Sequence, residues 1–274
     1  MAAPWALRTP VMWFGFAQLQ KYYDYGRGVS VCQLRLKNKT NPKHQESMKW
    51  VKEKGLLDYT FIYAPFDEHS NEVVPDVAKW CRKWKEESDI PILDCFYGSN
   101  VQPLFGLVDI WLGQNPKQEW AKERKKKGDR FFAVNSSLIW HIEYEPVGGR
   151  AAFWQDHASG YDGRYVYSTC RWTNDLFKKN WTSGNYMGSA VYPSPDGVTT
   201  SIRFEAMRDG IDDYEYLSIL KRLVEKNVES GVAAVKEAKA ILADEQLGKK
   251  LKSVDDLYAM RAKVADLIAE LTEE

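Results

Sequence analysis

Two carboxylates stand side by side in the run Tyr59-Thr60-Phe61-Ile62-Tyr63-Ala64-Pro65-Phe66-Asp67-Glu68-His69-Ser70. The apolar residues before them read as a buried strand, and a helical pattern follows. Acidic neighbours just past a strand, rather than on a solvated helix face, are costly unless something uses them. Two like charges packed together disfavour full ionisation of both, and a carboxyl that keeps its proton near neutral pH can donate it. Asp67 and Glu68 are therefore the first candidates for general acid–base chemistry. The structural alternative is a helix N-terminus, where capping and the helix dipole also favour Asp and Glu.

The elements that must position this pair follow from hydrophobic periodicity. Helical patterns cover Gln45–Lys54, closed by Gly55, then Asn71–Glu87, Lys117–Lys127, closed by Gly128, and Gly149–Ser159. Between them, short apolar runs at Thr60–Ala64, Ile90–Phe96, Val108–Leu112, Arg130–Asn135 and Arg164–Thr169 read as strands. This alternation implies βαβ units and a parallel sheet. No strand is followed by GxGxxG or GxxxxGK[ST], which argues against dinucleotide and nucleoside-triphosphate chemistry. The fold class expected is α/β, a TIM-like (β/α)8 barrel with polar residues Asp67, Glu68, Asp94, Asp109, Asn135 and Ser168 at strand ends. Val11–Gln18, Val29–Leu36 and Gly188–Tyr192 would supply further strands, with the barrel incomplete at its N-terminal end. Residues 1–210 would form the barrel domain and 211–274 charged helices packed on it.

Composition bounds the partners. The 274 residues carry 38 basic and 38 acidic side chains, so no global field draws the chain to nucleic acid or an anionic membrane. Lys125-Lys126-Lys127 reads as a solvated helix end. Cys32, Cys81, Cys95 and Cys170 lack CxxC or Cys/His ligand spacing, which argues against a disulfide framework or a zinc site. His141 and His157 stand alone, and no metal is implied. The start, Met-Ala-Ala-Pro-Trp, shows no secretory pattern, and no run is apolar enough to span a bilayer. The expectation is a cytosolic protein, or one whose leader lies outside this sequence. Eleven tryptophans and fifteen tyrosines suit stacking on sugar faces, although many must serve the core.

Two segments carry a family resemblance. One is Lys52-Glu-Lys-Gly-Leu-Leu-Asp58-Tyr-Thr-Phe-Ile-Tyr-Ala-Pro-Phe-Asp67-Glu68. The other is Tyr192-Pro-Ser-Pro-Asp-Gly197 followed by Ser201-Ile-Arg203-Phe-Glu205-Ala-Met-Arg208-Asp209-Gly210-Ile-Asp212-Asp213-Tyr214-Glu215-Tyr216. Over roughly residues 45 to 225 the chain resembles the catalytic domain of glycoside hydrolase family 123, the β-N-acetylgalactosaminidases and their relatives. The resemblance implies a barrel enzyme, without cofactor, that removes terminal β-linked N-acetylgalactosamine with retention. The substrate's own 2-acetamido oxygen is the nucleophile. Glu68 would protonate the leaving oxygen and then activate water, while Asp67 would orient the acetamido N–H. A glycan or glycoconjugate is the implied partner.

The chemistry of the residues agrees with that division of labour. Where two carboxylates act directly they flank the scissile bond, about 5 Å or more apart. Sequence neighbours do not straddle a sugar easily, but they can serve a substrate that brings its own nucleophile. For both to reach one pocket, the strand must end or bulge near Phe66, because neighbouring strand residues point to opposite faces.

The resemblance also nominates Trp111 and Asp109 at a strand end, Asn135 at the close of another, and Tyr167 and Trp172 around the last strand as sugar contacts. Trp154 reads as core, and Arg203, Glu205, Arg208 and Asp209 as an ion-pair network joining the C-terminal helix to the barrel. The chain departs from its relatives at His69, where they commonly carry Pro, and at Tyr167 and Cys170. Two other readings stay open: a sugar-binding protein on a degenerate barrel, and a glycosidase with no need for the acetamido group.

Overall fold

The computed structural model describes residues 32–34, 42–57, 60–86, 88–134, 145–166, 190–195, 197–227 and 233–273. The chain divides into two compact units, one ending at Val134 and the other beginning at Asn135.

The first unit alternates strands and helices. In order they are β1 (Cys32–Leu34), α1 (Pro42–Glu53), β2 (Thr60–Tyr63), α2 (Val74–Lys85), β3 (Ile92–Cys95), β4 (Ile110–Leu112), α3 (Glu119–Lys126) and β5 (Arg130–Val134). Short 3-10 turns at Asn71–Val73 and Gln102–Leu104 precede α2 and β4. Helix α2 forms because Val74, Val77, Ala78, Cys81 and Trp84 recur at helical spacing and are all buried. Helix α3 ends on Arg124, Lys125 and Lys126, cations that suit the negative end of its dipole.

Neighbouring strands pair in parallel, in the chain order β1-β2-β3-β4-β5. A doubly wound sheet reverses its strand order at a switch point and carries helices on both faces. Adding each strand on the same side, by crossovers of one hand, coats one face only and lets the sheet curl. The outcome is a parallel five-stranded half-barrel. Of the further strands expected, Val11–Gln18 lies outside the described residues, and only Cys32–Leu34 of Val29–Leu36 is described.

Strand register sorts the side chains. Asp94 pairs with Trp111, and Trp111 with Phe131, so these three share a face. Trp111 packs on Trp120 of α3, which makes theirs the helix-covered face. Tyr63, Leu93, Cys95 and Leu112 share the opposite, inner face.

The second unit contains α4 (Pro146–Ser159), β6 (Gly163–Tyr165), β7 (Val191–Ser194), β8 (Gly197–Thr200), α5 (Ile202–Lys226), α6 (Ala233–Leu242), α7 (Leu247–Lys250) and α8 (Val254–Glu273). Its core gathers Trp154, Leu217, Leu220, Ala238, Ile241, Val264 and Leu267. The run expected as a barrel strand near Tyr192 is instead one arm of an antiparallel β7–β8 hairpin. Pro193 lacks the N–H that an interior strand needs, which suits a two-stranded ribbon. The boundary expected after residue 210 falls inside α5, a continuous 25-residue helix.

The charged residues of the second signature segment organise this unit. Asp213, fully buried, accepts from Arg150 Nε at 2.6 Å, Arg150 Nη2 at 2.9 Å and Trp154 Nε1 at 2.8 Å. Arg208 pairs with Glu205 at 2.7 Å, and Arg203 donates to the Tyr192 hydroxyl at 2.6 Å. The network joins α5 to α4 and to the hairpin. No helix among the described residues is long and apolar enough to cross a membrane.

Candidate active site

Strand β2 ends one residue before the chain turns away from the sheet. The Ala64 amide still donates to Leu93 O at 2.8 Å, and Pro65, with no N–H, stops the pairing. His69 rejoins the sheet as a single parallel bridge to Phe96. Between these points Asp67 and Glu68 form the tip of an excursion at the carboxyl edge of β2, and both are exposed. Glu68 takes a left-handed backbone, φ +48°, a conformation that costs a non-glycine residue of order 1–3 kcal/mol and persists only where its surroundings enforce it. The strand thus ends before Phe66, as a shared pocket for both carboxylates requires.

Side chains from the inner face meet this pair. The Tyr63 hydroxyl donates to Asp67 Oδ1 at 2.5 Å. Burial pushes the Cys95 thiol up to about 11, against hydrogen bonds from Tyr63 and the Glu68 amide, and the charges of Asp67 and Glu68 push it further the same way. Tyr97 is half exposed. Its hydroxyl is likewise pushed up, first by burial, then by Cys95 and by the charges of Glu68 and Asp67. Both carboxylates therefore act on the same thiol and the same phenol. The ring of Tyr97 lies over Gly113, where an added Cβ would come within 2.5 Å of Cε1. Gln114, just beyond β4, braces the neighbouring turn by donating to Phe96 O and to Gly98 O.

His69 and Asp94 lie behind the pair. His69 is 8% exposed and Asp94 is fully buried. The imidazole stacks on Phe96 with centroids 4.6 Å apart and planes 8° from parallel. Its Nε2 lies 2.9 Å from Asp94 Oδ2, and its Nδ1 3.2 Å from Ser70 O. Burial lowers the His69 pKa, but the hydrogen bond and charge of Asp94 outweigh it and the net direction is up. Asp94 is also raised, by burial above all, against the pull of His69 and with a push from Asp67.

Two nominated residues take other roles. Asp109 precedes β4, and so lies at the opposite edge of the sheet from Asp67 and Glu68. It accepts from Lys85 Nζ at 2.7 and 2.6 Å and from the Ile92 amide at 2.7 Å, which ties the end of α2 to the start of β3. Trp111 is fully buried on the helix-covered face. Its indole donates to Asp129 at 2.7 Å, and Phe105, Trp120 and Phe131 surround its ring. No ring face is left for a sugar. Asn135, Tyr167 and Trp172 lie outside the described residues. Among the described residues, Tyr97 is a half-exposed aromatic whose hydroxyl feels the charges of both acids. Its signal was period-2 spacing from Cys95, past the end of β3.

A singly wound parallel sheet with acidic residues at its carboxyl edge places them where barrel enzymes carry their active sites. A family model described as "Glycoside hydrolase 123, catalytic domain" matches residues 44–220, and the chain belongs to that family. Among solved structures, the chain resembles a family 123 glycoside hydrolase from Clostridium perfringens, described for glycolipid glycan hydrolysis. The TM-score is 0.55 at 15% identity, over 84% of this chain and 44% of that one. That likeness concerns the fold, and the chain spans less than half the length of that structure. A search of curated proteins gave no match.

Proposed function

We propose that the protein is a retaining glycosidase that removes terminal β-linked N-acetylgalactosamine, with the sugar's 2-acetamido group as nucleophile. Family membership supports the glycosidase class. The observation that carries the finer reading is the adjacent, exposed pair Asp67–Glu68 at the carboxyl edge of β2, facing the inner-face side chains Tyr63, Cys95 and Tyr97. An eight-stranded barrel around that edge belongs to the same reading.

In the first step the acetamido carbonyl oxygen attacks C1 and the glycosidic C–O bond breaks. The leaving oxygen takes the proton of Glu68, and an oxazolinium forms. Asp67, oriented by the Tyr63 hydroxyl, accepts from the acetamido N–H as positive charge develops there. In the second step water attacks C1 and gives a proton to Glu68. The oxazolinium C–O bond opens, and the sugar leaves with its β configuration kept. Sequence neighbours suffice because no enzyme carboxylate has to reach the far side of the sugar.

The decisive variant is Glu68→Gln. On an aryl β-N-acetylgalactosaminide it should lose about 10²–10⁴-fold in kcat, the usual worth of general acid–base catalysis. Wild-type turnover in this variant refutes the assignment. A matched substrate without the acetamido group should not be cleaved by the wild type.

A further inference from the structure

Both ring nitrogens of His69 face acceptors. Ser70 O is a carbonyl and can only accept, so Nδ1 carries a hydrogen. Nε2 faces Asp94 Oδ2 at 2.9 Å. Either Nε2 carries a second hydrogen and Asp94 is a carboxylate, or Asp94 is a carboxylic acid that donates to Nε2. In both cases the pair as a whole is neutral and holds one titratable proton. Losing it leaves a buried negative charge and, in either tautomer, one ring-nitrogen lone pair against an acceptor, Asp94 or Ser70 O, which is unfavourable at this burial. Asp94 Oδ1 has no hydrogen-bond partner among the described residues, so an unneutralised carboxylate there would be poorly compensated.

The pair also carries mechanical weight. His69 is the residue that returns the chain to the sheet after Glu68, and its ring is clamped between Asp94 and Phe96. We propose that His69 and Asp94 are a positioning pair for the acid pair: they fix the turn that presents Asp67 and Glu68, and they keep a neutral proton-bearing unit behind it. The proposal rests on Asp67 and Glu68 being the reacting groups. The charged and titratable neighbours of the unit are Asp67 and Glu68 on the excursion, Cys95 and Tyr97 at the end of β3, and Cys81 on α2, near which Lys85, Arg82 and Asp109 lie. Above the pH at which the unit loses its proton, a buried negative charge faces Asp67. The acid pair then holds its proton more tightly.

Ring-nitrogen NMR and kinetics test this together. The four histidines are separable by comparing wild type with His69→Gln. In the wild type, His69 should titrate above the ordinary value of about 6.5, and Asp67→Asn should move its midpoint, because coupling between sites is reciprocal. An ordinary midpoint, or one that ignores Asp67→Asn, overturns the proposal whether or not the enzyme cleaves N-acetylgalactosaminides. In Asp94→Asn, whose amide NH2 can donate to a bare Nε2, kcat/KM should fall about tenfold or more, as misplaced catalytic groups do. KM should hold and the thermal midpoint should stay near wild type, while the alkaline limb of the rate profile moves to lower pH, because no buried negative charge then helps the acid pair hold its proton. A purely structural pair would lower activity only with the folded fraction and leave the profile's shape alone, and that result rejects the role. Absence of any glycosidase activity in the wild type would count against the proposed function instead, and the NMR titrations would still decide the pairing.

Discussion

The Tyr63 hydroxyl donates to Asp67 Oδ1 and ties it to the inner face. On the proposed mechanism Asp67 aligns an acetamido N–H, which needs a fixed carboxylate plane, and the phenol is placed to supply it. Tyr63→Phe removes that bond and the one to the Cys95 thiol while keeping the buried ring. It should lower kcat by about tenfold with little change in thermal midpoint, since a misaligned group can cost up to about a hundredfold; unchanged kcat contradicts the orienting role. Asp67→Asn should go further, losing turnover on the N-acetylgalactosaminide while still binding a thiazoline analogue of the intermediate, as titration calorimetry would show. Unaltered turnover there would remove Asp67 from the mechanism. At this scale the acid pair could be nominated from sequence because its members adjoin. Tyr63, Cys95 and Tyr97 could not, because their convergence depends on register between β2 and β3. Trp111 misled for the same reason: its residue type suits a sugar, but the pleat turns it to the helices.

Among the elements, α4, α5 and α8 share one buried charge. Asp213 takes three hydrogen bonds from Arg150 and Trp154, with Arg261 Nε at 3.5 Å. Asp213→Ala leaves the buried Arg150 guanidinium without its main partner, a loss of about 3–5 kcal/mol by the usual cost of breaking one side of a buried pair. Urea unfolding should report it, and a change below about 1 kcal/mol would be too small for such a pair. A second point of control is Gly248 in α7. A Cβ there would lie 2.5 Å from Ala151 O and 2.5 Å from the Gln155 amide nitrogen, both backbone atoms of α4 that cannot swing aside. Gly248→Ala should destabilise by about 1–3 kcal/mol through overpacking; a neutral result in the same unfolding assay would mean that α7 shifts freely. The helices of the first unit could be read from apolar spacing almost to their ends, as α2 shows. The second unit was harder. The proline-bearing run near Tyr192 has a strand's composition but pairs only within a hairpin, and α5 changes charge pattern at residue 210 without a break in its backbone.

Among the described residues, the titrating groups of the interior are moved one way. His69, Asp94, Asp156, Tyr161 and the thiols of Cys81 and Cys95 are all raised. Burial is the leading cause for each except His69, where Asp94 overrides it. A group whose folded pKa exceeds its unfolded one holds its proton longer in the native state. The unfolded chain then binds fewer protons, and stability falls as pH rises through the interval between the two values. The carboxylates lowered by partners, Glu123, Asp244 and Asp256, lie at the surface. Their small contribution is lost only in acid, as pH falls through their lowered values. Stability should therefore decline from neutral pH into the alkaline range. Cys95 gives that decline a defined window, because burial moves its thiol from 9.0 in the free side chain to about 11 in the fold. Cys95→Ala has no proton to lose there. Urea midpoints taken at about pH 8 and about pH 10.5, on either side of the ordinary thiol range, should fall for the wild type and fall less for Cys95→Ala. Equal slopes for the two proteins would mean that the thiol beside the acid pair is open to solvent, and the inner-face packing around Asp67 and Glu68 would have to be redrawn.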